Sequence, residues 1–185
     1  MLVCIASGPS LTAEDCTLVE QSGIPTMAVN MSWKMARFAK YIYAGDRSWW
    51  DRNGKDIDIP AERWTCSFSS ASHHKIKHHN VKGAYNSGMR AIQWGIDHGY
   101  KTILLMGYDC SLVNGLHWHG AYTENRNPTS KGVLKWKRQF EQVALHAKNR
   151  GVRVINCSRD TALECFERMK LEDAIRTIRE NAPPC

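Results

Sequence analysis

The residues best suited to chemistry lie in one stretch, from Gly83 to Gly120, which closes with His117-Trp118-His119-Gly120. Histidine titrates near neutral pH, so His119 or His117 can act as a general base toward a hydroxyl group. A spacing of two puts both rings on the same side of an extended segment. The competing role is structural, with the rings fixing their loop by hydrogen bonds. Gly107 and Asp109 open the same loop, where Asp109 either orders it or caps a turn. Polar residues hold similar places elsewhere. Gly8, Pro9 and Ser10 follow an initial apolar run, Asn30 a second and Asp46 a third, while Ser87 and Gly88 begin a helical pattern. Gly8 would let a ligand approach the backbone, Pro9 sets φ for a turn, and Ser10 with nearby amides suits a phosphate. The Gly-Pro-Ser-Leu run is neither of the common phosphate-loop fingerprints, and it also fits an ordinary strand-to-helix turn.

What must position these residues is a series of short apolar runs. Strands are predicted over 2–6, 25–30, 40–44, 63–67, 102–106 and 152–156, each bounded by turn residues. Helices are predicted after Asn86 or Ser87, over 131–149, and opening near Ser158 to Asp160. Ala91, Trp94 and Gly95 fall on one face of the first of these. Strands alternating with helices predict a single α/β domain, Rossmann-like, with a mostly parallel sheet flanked by helices. In such a sheet the loops after the strands gather at the ligand-binding edge, which is where the polar residues fall. Asn30 there would bond a base or ribose, or cap the segment that follows it.

Other motifs carry weaker expectations. Trp49 and Trp50 can stack on bases, but beside a strand end they suit core packing. Asp56-Ile57-Asp58 has the Asp-x-Asp form that holds a metal and a diphosphate in some glycosyltransferases, yet its place before Pro60 fits a surface turn. The segment 69–82 contains His73, His74, His78 and His79. With no cysteine or carboxylate at metal-ligand spacing, it reads as a mobile basic loop able to close over an anion.

The chain has 185 residues, 43% of them hydrophobic, which suffices for one domain with a core. Its formal charge of +7 suits an anionic partner or acceptor, nucleic acid included, although the charges are scattered and also serve solubility. The seven cysteines show no Cys-x-x-Cys spacing, as expected for buried reduced thiols in a cytoplasmic protein. No run approaches a membrane span, the first apolar run is too short for a signal peptide, and 181–185 reads as a loose tail.

In order and spacing these elements resemble the bacterial lipooligosaccharide α2,3-sialyltransferases and the related archaeal 6-hydroxymethylpterin diphosphokinase group. The resemblance rests on Gly8-Pro9-Ser10-Leu11, Asn30, Ser87-Gly88, Gly107-x-Asp109, His117-Trp118-His119-Gly120 and Asn156-x-Ser158. Short uncharacterised proteins of bacteriophages and prophages look similar too, which would place the protein in a host cytoplasm. The sialyltransferase likeness implies that Gly8, Pro9, Ser10, Asn30 and Ser87 contact a nucleotide sugar, with a histidine as base and no metal. The family's own base position would fall on Ala121, its phosphate-binding tyrosine on Ser111 and its arginine on Ala84. A diphosphokinase would instead need Mg²⁺, held by Asp46 and Asp109. A third expectation is a non-enzymatic phage accessory or assembly protein that binds a partner through its basic, tryptophan-rich surface.

Overall fold

The six predicted strands all form; most are short apolar runs that can be buried on both faces of a parallel sheet, whereas the fourth, Glu-Arg-Trp-Thr, lies toward one edge and is partly exposed. A computed structural model describes residues 1–123 and 127–180; the expected tail, 181–185, lies outside the described residues. The strands are β1 (Leu2–Ile5), β2 (Thr26–Val29), β3 (Tyr41–Tyr43), β4 (Glu62–Thr65), β6 (Thr102–Met106) and β7 (Arg153–Asn156), with two-residue edge strands β5 (Lys77–His78) and β8 (Glu167–Arg168). All described pairings are parallel, in the order β5-β4-β3-β2-β1-β6-β7-β8. The chain therefore builds outward from β1 to one edge, then returns to the other side of β1 through β6. The boundary between β1 and β6 is a topological switch point, where loops after neighbouring strands diverge and leave a crevice.

Successive side chains of a strand go to opposite faces, and the core divides accordingly. Val3, Ile5, Leu104 and Met106 join one cluster with α1 (Ala13–Ser22), α2 (Arg47–Asn53) and α6 (Leu171–Glu180). Leu2, Cys4, Ile103 and Leu105 join the other, under α4 (Ser87–Asp97) and α5 (Ser130–Asn149). Asn86 caps α4 by accepting the Met89 N–H at 2.9 Å, and Met89, Ala91, Ile92, Trp94 and Ile96 are all buried. Among the described residues no helix is long and apolar enough to cross a membrane, and all the described cysteines are free thiols.

Two expectations fail. The histidine-rich segment is not a loop: it contains α3 (Phe68–His74) and β5. Ser67 caps α3 by accepting the Ser70 N–H at 3.2 Å, and Lys75 ends it in the left-handed conformation, φ 54°. His79 is buried, with Nδ1 2.9 Å from the Tyr43 hydroxyl and Nε2 3.0 Å from Asp97 Oδ2. Those partners are too distant in sequence for local composition to reveal. Nor does a helix open near Ser158, because that segment's polar groups are committed to the loop after β6. Ser158 Oγ accepts the Tyr108 N–H at 2.8 Å, Thr161 Oγ1 donates to the Tyr108 carbonyl at 2.6 Å, and Ala162 N–H donates to the Asp109 carbonyl at 2.8 Å. Asp58 of the Asp-x-Asp turn is exposed and pairs with Arg37 at 2.9 Å, as a surface turn should.

The tightest point of the fold is the turn after β6. Gly107 has φ 67°, and a Cβ there would stand 2.5 Å from the Ala6 carbonyl oxygen. Gly107→Ala is therefore expected to lower stability by about 2 kcal/mol or more, read from the urea midpoint; an unchanged midpoint would show that the turn tolerates a side chain.

Candidate functional site

The site begins with a clamp across the switch point. Ser10, in the loop after β1, donates its N–H to Asp109 Oδ2 at 2.8 Å and its Oγ–H to Oδ1 at 2.7 Å. Asp109 lies in the loop after β6 and is 2% exposed, so its two oxygens are directed at the protein. Burial raises its pKa and the Ser10 bonds oppose that rise, with Asp160 adding to it. The neighbouring Gly8 leaves no room for a ligand at its own Cα. A Cβ there would stand 2.2 Å from Asp109 Oδ1 and 2.6 Å from the Gly107 carbonyl oxygen. The glycine thus admits the Asp109 carboxylate, a reason different from the close ligand approach predicted for it.

Around this clamp opens a cleft of about 630 Å³, at the carboxyl ends of the strands. Of the residues singled out in the sequence, Gly8, Pro9, Asn30, Asp46, Ser87, Gly88, Gly107, Asp109 and His117 line it. Ser10 and His119 do not. Ser10 stands behind Asp109, with its amide and hydroxyl protons already donated. His119 stacks against His117, ring centroids 5.0 Å apart at 12°, so His117 is the histidine that meets the cleft. Its Nδ1 is 2.9 Å from Ser7 Oγ, and the Trp118 N–H donates to the Ser7 carbonyl at 3.0 Å, which ties this loop to the end of β1. Ala121, at the base position implied by the sialyltransferase resemblance, is exposed.

The walls contain residues that the sequence did not mark as site residues. Trp49 and Arg52 come from α2, Tyr122 from the segment after Gly120, and Tyr108, Trp136 and Phe140 form an apolar end with Val133. Trp49 was readable both as a base-stacking and as a packing residue; like Trp50, which donates its indole N–H to the Ala44 carbonyl at 2.8 Å, it is buried in the core, and it also reaches the cleft. Tyr122 follows Gly120 closely, but nothing local says that its ring meets both His117 and His119 edge-on. Ser87 Oγ accepts the Gly45 N–H at 3.0 Å, which anchors the start of α4 to the end of β3. Tyr108 donates its hydroxyl proton to the Gly88 carbonyl at 3.0 Å.

The polar end is short of partners. Asn30 Oδ1 and His117 Nε2 are buried without a hydrogen bond, and Trp49 Nε1 and the Tyr122 hydroxyl, buried beside each other, fall outside ordinary hydrogen-bond geometry. Asn30 therefore does not cap the 3-10 turn that follows it, although it takes the unusual φ of 51°. Buried polar atoms left unpaired cost stability, and a polar ligand in the cleft would recover it. Burial pushes His117 down to about 4, His119 adds to the effect, and hydrogen bonding to Ser7 opposes it. His119 is also lowered, again mainly by burial. Both rings are thus neutral at pH 7 and each keeps one basic nitrogen. Burial pushes the Tyr122 phenol up to about 12, with nearby Trp49 opposing, and raises Cys110 to about 11, so neither is an anionic nucleophile at neutral pH.

No family model and no curated protein matches this sequence. Among solved structures it is similar to the thiamin pyrophosphokinase of Geobacillus thermodenitrificans, at 14% identity and a TM-score of 0.45, over 83% of this chain and 59% of that one. A second is the UDP-glucose 4-epimerase of Brucella ovis in complex with NAD, at 12% identity and a TM-score of 0.35, over 85% of this chain and 51% of that one. The chain spans little more than half the length of either. The sialyltransferase and phage resemblances gain no support from these sequence comparisons, and a functional reading has to rest on the cleft.

The cleft makes stability depend on acid. An unfolded chain titrates its histidines near 6.5, whereas folded His117 titrates at about 4. Between those values the unfolded state binds more protons, so stability is complete above about pH 6.5 and is lost as pH falls toward 4. His117→Gln is expected to reduce the loss between pH 7 and pH 5 by on the order of 1 kcal/mol, allowing for solvent screening. Denaturant unfolding at both pH values measures it, and an unaltered slope would place the titration elsewhere.

Proposed function

We propose that the cleft binds a nucleotide-activated sugar and transfers the sugar to an acceptor hydroxyl, with His117 as general base. The observation that supports this reading best is the placing of buried, unpartnered polar atoms beside an apolar, aromatic pocket at the switch point of a parallel sheet. The apolar end, with Tyr108, Trp136 and Phe140, suits a base or another planar group. The polar end, with Asn30, Ser87 and Arg52, suits ribose and phosphate. Transfer forms a bond from the acceptor oxygen to the anomeric carbon and breaks the bond from that carbon to the phosphate oxygen. The acceptor proton passes to the basic nitrogen of His117, and the nucleotide leaves as an anion facing Arg52. A neutral imidazole is in the correct state to take that proton.

A metal-dependent phosphotransferase would use Asp46 and Asp109 as the metal-holding pair. Both oxygens of Asp109 are engaged by Ser10, and no cluster of three potential metal ligands among the described residues contains either carboxylate. Of the pair, Asp109 is thus already committed to Ser10, and no step is assigned to Mg²⁺.

Thermal unfolding with cytidine, uridine, adenine and guanine nucleotides, with and without Mg²⁺, tests the reading. A cytidine or uridine nucleotide at a hundred times its dissociation constant is expected to stabilise the fold by about 2.7 kcal/mol without metal. Stabilisation only with Mg²⁺ would favour the phosphotransferase. No response to any nucleotide would favour a binding protein that acts through its basic surface. Once a donor is found, His117→Ala is expected to lower turnover by about 10²–10⁴-fold while leaving nucleotide affinity within about threefold. Equal turnover in the variant would remove His117 from the chemistry.

A further inference from the structure

A second group of titratable side chains lies outside the cleft, where α2 meets α3. Asp51 comes from α2, and His73 and His74 come from the last turn of α3. One ligand atom from each, a carboxylate oxygen and two ring nitrogens, all lie within 4.8 Å of one another. Asp51 Oδ1 is 2.8 Å from His74 Nε2, while its Oδ2 faces Arg47 Nε at 3.6 Å. The two imidazoles meet edge to face with centroids 4.8 Å apart.

The supporting frame is defined on both sides. Trp50, next to Asp51, is 1% exposed and hydrogen-bonded to the Ala44 carbonyl, which fixes α2 on the sheet. The Ser67 cap and the left-handed Lys75 fix both ends of the seven-residue α3, so the histidine pair has a set position. The sequence alone could not supply the carboxylate, because Asp51 lies more than twenty residues before the histidines.

We infer that Asp51, His73 and His74 form a binding site for a divalent transition-metal ion of the Zn²⁺ class. Two imidazole nitrogens and one carboxylate oxygen suit Zn²⁺, Co²⁺ or Ni²⁺, whereas Mg²⁺ and Ca²⁺ prefer all-oxygen sets. Zn²⁺ bonds to such atoms at about 2.0–2.2 Å, which sets tetrahedral ligand atoms roughly 3.4 Å apart, so the Asp51–His74 pair opens from 2.8 Å and the wider pairs, up to 4.8 Å, close by rotation of these surface side chains around one ion. His74 binds through Nε2, which moves its ring proton to Nδ1, and Asp51 exchanges the histidine N–H for the metal on Oδ1 while Arg47 still faces Oδ2. Water fills the open positions. The ion joins α3 to α2, the helix that supplies Trp49 and Arg52 to the cleft, and this inference does not depend on what the cleft binds.

The test is titration of the untagged full chain with Zn²⁺ and Co²⁺ near neutral pH. Expected results are one saturable equivalent, a rise in thermal midpoint, and visible Co²⁺ d–d bands with no thiolate charge-transfer band. Asp51→Asn and His73→Gln are each expected to weaken binding by about tenfold or more, and His146→Gln to leave it unchanged. Among the described residues His73 has a ring contact with His74 and no side-chain hydrogen bond, so His73→Gln keeps the structure intact if His74 variants do not. A thiolate band, affinity unchanged in His73→Gln, equal competition by Mg²⁺, or no saturable binding would each overturn the assignment.

Discussion

The pairing of Asp109 with Ser10 is the constraint on which the rest of this architecture depends. Parallel strands leave their carboxyl ends open, and the reversal of strand order between β1 and β6 sends the two central loops apart. One buried carboxylate holds them together with two short hydrogen bonds. Gly8 and Gly107 make that approach possible, since a side chain at either would occupy space already held by the other loop. The segment from Ser158 to Ala162 then closes over the same junction through Tyr108 and Asp109. Asp109, which the sequence offered as an ordering residue of its loop, is thus the fastening that gives the cleft its shape.

What the cleft offers chemically follows from desolvation. Burial disfavours the imidazolium form, so His117 and His119 stay neutral, and stacking places one behind the other. Only the front ring reaches the cleft, and its Nδ1 is held by Ser7. The rear ring completes the packing around it together with Tyr122. Loop-fixing and a place at the cleft were competing roles for the histidine pair in the sequence; His117 holds both, bonding Ser7 and lining the cleft, while His119 packs behind it.

Histidines elsewhere show the same residue type put to different uses by its surroundings. His79 is locked between Tyr43 and Asp97, and burial lowers its pKa against the pull of Asp97. His73 and His74, six and five residues before it, stand at the surface beside Asp51, in contact with solvent. The difference arises because β5 turns the chain inward just after α3 ends.

The sequence by itself determined the fold class. Apolar runs this short, bounded by turn residues, favour strand over helix, and the predicted helices at Ser87 and over 131–149 have the periodicity to cover the sheet. Polar residues after the strands also marked the correct edge, so Asn30, Asp46, Ser87 and Gly107 were legible as its lining. Tertiary structure alone decided what those residues do. Ser10 meets Asp109 across 99 positions, and Arg52, Tyr122 and Trp136 enter the cleft from elements with no local signal. The physical reason is one of range: hydrogen-bonding pattern and hydrophobic period act between near neighbours, while a site is made of contacts whose partners are chosen only when the sheet has formed.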